Sequence, residues 1–105
     1  MTNDEKIRYI ADYYGIDSQI GQLYEEMGEL MQVINKLKRS AGIGQPTGAR
    51  FGECLKGVYE ETADVRIVLG QITYLLDGNE EVDRIIQEKL DRQIKRIEEE
   101  GTCRS

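Results

Sequence analysis

The chain contains no histidine and no tryptophan, and only one proline and two cysteines among its 105 residues. Without histidine there can be no Ser-His or Cys-His triad and no zinc site built on imidazole. A ferritin-like di-iron bundle, which takes Glu-x-x-His motifs from facing helices, is disfavoured for the same reason. Cys54 and Cys103 have neither metal-type spacing nor the number for a disulfide framework. Cys54 falls on an apolar helical face and reads as a small core residue. Cys103 reads as a free thiol in a terminal tail. No apolar run approaches the roughly 20 residues needed to cross a bilayer. The opening residues, Met1 to Lys6, lack the basic-then-apolar order of a secretion signal. A cytoplasmic protein with no membrane contact is expected. The net charge of −6 disfavours general nucleic-acid binding, which needs a basic face to displace counterions. An anionic substrate would therefore have to be met by a metal ion or by locally clustered Lys and Arg.

The composition that remains, 39% hydrophobic and 32% charged with little proline, suits long helices in a single domain over residues 1–105. A first helix is expected from Asp4 to Tyr14, with Ile7, Ile10, Ala11 and Tyr14 on one face. Tyr9, Tyr13 and Tyr14 read as packing residues, with base stacking the alternative. Gly15 is a stop, and Asp17 or Ser18 offers an N-cap for the next helix. That helix should run from about Ser18 to Arg39 on a stripe of Ile20, Leu23, Met27, Leu30, Met31, Ile34 and Leu37. Lys36, Lys38 and Arg39 suit the negative end of its dipole. The glycine-rich stretch from Ser40 to Gly52 is a loop, and it lacks the Gly-Lys-Ser/Thr ending of a Walker motif. Arg50 at its end reads as a solvated charge, with phosphate contact the alternative. A third helix, from about Arg50 to Leu76, is apolar on more than one side and should be central. Asp77-Gly78-Asn79 is a tight turn. The fourth helix should span Glu80 to Glu100, bury Val82, Ile85, Ile86, Leu90, Ile94 and Ile97, stop at Gly101 and fray from Thr102. The expected fold is all-α, an antiparallel four-helix bundle that oligomerises.

Acidic residues interrupt the two central apolar runs. Glu25, Glu26 and Glu29 lie in the second helix, and Glu60, Glu61 and Asp64 in the third. Glu26 and Glu29 are three apart and project from one face, and Glu61 and Asp64 repeat that spacing. Two such pairs on adjacent antiparallel helices can converge on one point, where a hard cation would find several oxygens and keep positions for water and phosphate. Glu61 lies only about 40° from the centre of its apolar stripe, among Val58, Val65 and Val68. An unpaired carboxylate there is costly, so it must meet a cation or hold a proton. No lysine stands three or four residues after Glu25, Glu26 or Glu29 to relieve their repulsion. Glu25 and Glu60 taken singly read equally well as ordinary surface residues. Carboxylate ligands suit Mg²⁺, or Mn²⁺. On the fourth helix Lys89 and Arg92 share a face. They would either bridge to Glu88, Asp91 and Glu99 or hold phosphate oxygens.

Glu25-Glu26-Met27-Gly28-Glu29 followed by Glu61-Thr62-Ala63-Asp64 resembles the paired signature of the all-α nucleoside triphosphate pyrophosphohydrolases. These comprise MazG-like proteins, dimeric dUTPases and phosphoribosyl-ATP pyrophosphohydrolases. Gly28-Glu29-Leu30, Glu60 to Val65 and the stretch Lys89 to Ile94 add to the likeness, which covers roughly residues 18 to 98. The spacing from Glu29 to Glu61 is longer than in compact members, and the glycine-rich loop takes up the difference. The resemblance implies Mg²⁺-dependent cleavage between the α and β phosphates of an NTP or dNTP, giving a monophosphate and pyrophosphate in housecleaning of the nucleotide pool. It implies Glu26, Glu29, Glu61 and Asp64 as metal ligands and Glu25 as a supporting acid. It also implies a homodimer or homotetramer with the site near a subunit interface. A water attacking phosphorus would give up its proton to Glu25 or Glu29, and Lys89 and Arg92 would stabilise the departing pyrophosphate. Two alternatives stand beside this reading: a non-catalytic helical module for oligomerisation or protein binding, and the same fold acting on phosphoribosyl-ATP.

Overall fold

Thr2 starts the first helix. Its hydroxyl accepts from the Glu5 backbone N–H at 3.1 Å, and Glu5 Oε1 accepts from the Thr2 N–H at 3.2 Å. This reciprocal cap satisfies two of the donors that a helix start leaves free, and it holds the Glu5 carboxyl below its ordinary range. The computed structural model describes residues 1–44 and 47–104, with 102–104 in backbone only. It contains helices α1 (Asn3–Tyr14), α2 (Ile16–Ser40), α3 (Phe51–Leu75) and α4 (Asn79–Arg104), and no strand among the described residues. None of the helices is long and apolar enough to cross a membrane.

The helix junctions are tighter than the sequence suggests. Gly15 alone separates α1 from α2, at φ 86°, a conformation that costs glycine little and other residues much. Its N–H donates to the Ala11 carbonyl at 2.8 Å, and its own carbonyl accepts from the Gln19 N–H at 3.1 Å. The break is complete in one residue, so the expected caps Asp17 and Ser18 lie inside α2, where Asp17 complements the first turn of the dipole. The α3–α4 turn is as short as expected, but Asp77, not Gly78, takes the left-handed conformation, at φ 53°. Asp is among the few residues that tolerate it. Helix α4 does not stop at Gly101 but continues to Arg104. A glycine costs a helix about 1 kcal/mol relative to alanine and does not forbid it. Within the Ser40–Gly52 loop, Gln45 and Pro46 lie outside the described residues, as does the side chain of Cys103.

Packing centres on α3, which meets each of the other helices. Its contact with α2 is the most extensive, and among the described residues α4 meets only α3. Residues further along α2 meet residues earlier along α3. Gln19 meets Gln71, Glu26 and Glu29 meet Glu61, and a Cβ on Gly57 would lie 3.7 Å from Val33 Cγ1. The seam on α2 is therefore Gln19, Leu23, Glu26, Leu30, Val33 and Leu37, all buried or half-buried. Met27, Met31 and Ile34, expected to be buried, face solvent, Met31 being 62% exposed. Cys54 is buried as expected, with Ala11, Val65 and Val68. Tyr9, Tyr13 and Tyr14 are exposed rather than packed inside. Tyr13 and Tyr14 meet edge to face with centroids 4.9 Å apart.

The apolar face of α4 is open. Val82, Ile86, Leu90, Ile94 and Ile97 are exposed, reaching 68% at Ile97, and only Ile85 is half-buried. The expectation that this face is buried fails within one chain, because α4 has only the end of α3 to lean on. The radius of gyration is 18.2 Å, against about 13 Å for a compact chain of this length.

The two most buried polar side chains, Gln19 and Gln71, hydrogen-bond each other across the α2–α3 seam. Gln71→Ala should cost about 1–3 kcal/mol in urea unfolding, because it leaves the Gln19 amide buried without its partner. Replacing both glutamines by leucine should recover most of that loss.

Candidate metal centre

Helix α2 carries Glu26 and Glu29 one turn apart, and α3 brings Glu61 against them. One oxygen from each of the three lies within 4.8 Å of the others. Glu26 and Glu61 are half-buried, and Glu29 opens to solvent. Gln22, one turn before Glu26 on α2, donates from Nε2 to Glu26 Oε1 at 2.7 Å. The remaining oxygens, Glu26 Oε2 and Glu61 Oε2, are buried and have no hydrogen-bond partner.

This arrangement is unfavourable for three negative charges. Burial pushes the Glu61 carboxyl up to about 7, reinforced by hydrogen bonding with Glu26 and by the charges of Glu29 and Glu26. A group that holds its proton this far above its ordinary range marks a place where a positive charge is wanted. The donor set is oxygen only, which suits a hard divalent cation, and the exposed Glu29 side leaves room for water ligands. A cation between the three residues would satisfy both orphaned oxygens and displace the Glu61 proton.

The other residues singled out in the sequence stand apart from this cluster. Asp64 is exposed, one turn further along α3, and does not join the three. Glu25 and Glu60 are also exposed. Lys89 and Arg92 are exposed on α4 and form no ion pair among the described residues. Glu88, their expected neighbour in a salt bridge, pairs instead with Arg84 at 2.5 Å, and Arg84 also bridges to Glu81. Asp91 accepts from Gln87 Nε2 at 3.2 Å. Gln22 was not singled out in the sequence, although its i,i+4 relation to Glu26 is a readable signal for such a contact. Gln19 and Gln71 interrupt apolar stripes as Glu61 does.

No model of a known family, no curated protein and no solved structure matches the chain.

The raised Glu61 pKa sets the sign of a pH effect. In the unfolded chain this carboxyl titrates near its ordinary value of 4.5, and in the folded chain it is pushed up to about 7. Between those values folding takes up a proton, so metal-free stability should fall as pH rises from 4.5 to 7 and level off above. Glu61→Gln, which is neutral and offers Glu26 a donor, should flatten this slope and raise the metal-free Tm at pH 8. Thermal melts in EDTA across pH 4.5–8 measure both effects.

Proposed function

We propose that this chain is a MazG-like, Mg²⁺-dependent nucleoside triphosphate pyrophosphohydrolase that cleaves between the α and β phosphates of an NTP or dNTP. The observation that carries this reading is the convergence of Glu26, Glu29 and Glu61 with two buried oxygens left unpartnered. Those three residues would hold the ion, and Mn²⁺ suits the same oxygens. When bound, the ion neutralises phosphate oxygens and orients the attacking water. The chain's own groups do the rest. Glu25, exposed on α2 and adjacent to Glu26 in sequence, accepts the water's proton as the oxygen bonds to the α-phosphorus, with Glu29 the alternative acceptor. The bond from the α-phosphorus to the oxygen bridging to the β-phosphate breaks, and Lys89 and Arg92 hold the departing pyrophosphate.

Among the described residues α4 meets only α3 in its own chain, so Lys89 and Arg92 would reach the pyrophosphate at the carboxylate cluster of a second copy. Assembly as a homodimer or homotetramer would cover the open α4 face and the Met27, Met31 and Ile34 stripe, and would complete an antiparallel bundle of four helices between chains. Exposed apolar surface of this extent favours association. The same face also favours a second reading, a non-catalytic oligomerisation module that binds no metal.

With Mg²⁺, pyrophosphate should be released from at least one member of a panel of NTPs, dNTPs and phosphoribosyl-ATP. Glu61→Gln should abolish that turnover, whereas Lys89→Ala and Arg92→Ala should each slow it by about tenfold or more. No turnover at high enzyme concentration would remove the catalytic reading. Mg²⁺ at about a hundredfold excess over Kd should raise Tm by roughly 10 °C, and the non-catalytic reading predicts no shift. Light scattering should give a mass of two or four chains.

A further inference from the structure

A cavity open to solvent lies at the far end of α2. Among the described residues, Gln32, Asn35, Lys38, Arg39, Ile43 and Gly44 line about 430 Å³ and include no carboxylate, and all but the half-buried Arg39 are exposed. The chain carries 20 acidic residues against 14 basic ones, yet neither Lys38 nor Arg39 forms an ion pair among the described residues. Cations at a helix C-terminus answer the dipole. That account explains their charge but not the two amides beside them.

The turn that borders the cavity is a glycine cap on the end of α2. Gly42 and Gly44 take φ values of 84° and 85°, which residues with a Cβ rarely adopt. Between them the chain turns back over the last turn of α2. The Gly42 N–H donates to the Arg39 carbonyl at 3.0 Å, and the Ile43 N–H donates to the Lys38 carbonyl at 3.1 Å. A Cβ on Gly44 would lie 3.9 Å from Arg39 Cγ, so the turn rests on the half-buried Arg39 stem. Asn35 and Arg39 lie roughly 140–180° round α2 from Glu26, at about 100° per residue. An anion in the cavity is thus held on a different face from the carboxylate cluster.

We infer that this cavity binds a phosphate ester of nucleotide size. Lys38 and Arg39 hold the phosphate, while Gln32 and Asn35, each both donor and acceptor, hydrogen-bond the rest of the molecule. The volume falls in the range of small-ligand sites, about 300–1,000 Å³, and far exceeds a free phosphate ion. One pair of cations on a chain of net charge −6 suits a small anion better than a polyanionic strand. The inference does not depend on the metal centre.

The probe is AMP, titrated into the full chain in EDTA and followed by calorimetry and by amide NMR shifts, with inorganic phosphate as the comparison. AMP should bind saturably with a Kd below about 1 mM and shift the amides of residues 38–44. Lys38→Gln/Arg39→Gln should weaken AMP by at least about tenfold. Asn35→Ala should weaken AMP but not inorganic phosphate. Circular dichroism confirms that each variant keeps its helices, since all these side chains lie outside the α2–α3 seam. No saturable response to AMP, wild-type affinity in the double variant, or inorganic phosphate binding as tightly as AMP would each overturn the inference. Loss of pyrophosphatase turnover would not touch it.

Discussion

The α2–α3 seam carries its polar groups in the middle of an apolar contact, and the rest of the molecule is arranged around that fact. At one point the solution is complete. Gln19 and Gln71 each bring a donor and an acceptor, and the Gln19 Nε2 amide donates to Gln71 Oε1. At the other it is not, because Glu26 and Glu61 bring only acceptors and leave two buried oxygens unmatched. Amides can close on themselves in a dry seam, whereas carboxylates can do so only by sharing a proton or a cation. The glutamine pair holds the register that brings the carboxylates together, so stability and chemistry are set along the same line of contact.

The second constraint is surface that one chain cannot cover. α4 meets only α3 and leaves a row of Val, Ile and Leu in solvent. The α2 stripe of Met27, Met31 and Ile34 is equally open. A chain this extended buries little of its own apolar surface, and burial is the main favourable term in folding. Assembly and catalysis are therefore coupled in the proposed function: a second copy would supply both the missing cover and the cations Lys89 and Arg92.

Much of the fold was legible in the sequence. The four helices fall within a few residues of their periodic patterns because apolar spacing and glycine breaks act locally. The acid spacing within each helix was also legible, since i,i+3 residues share a face whatever the helix packs against. The side of α2 that packs was not. The expected stripe joined Leu23, Leu30 and Leu37, which are half-buried, to Met27, Met31 and Ile34, which are exposed. Hydrophobicity alone did not separate the two sets. The seam is rotated towards Gln19, Glu26 and Val33, where Gln19 meets Gln71 and Val33 meets the side-chain-free surface of Gly57.

By itself, then, the sequence determined the helices, their breaks, the absence of imidazole chemistry and the paired acids. Those are consequences of residue type and short-range spacing. Tertiary structure alone decided that Glu61 meets Glu26 and Glu29 while Asp64 faces solvent, and that α4 stands off its own chain. Each of these depends on the rotation of one helix against another. That rotation is set by the sum of contacts along the seam, which no single helix encodes.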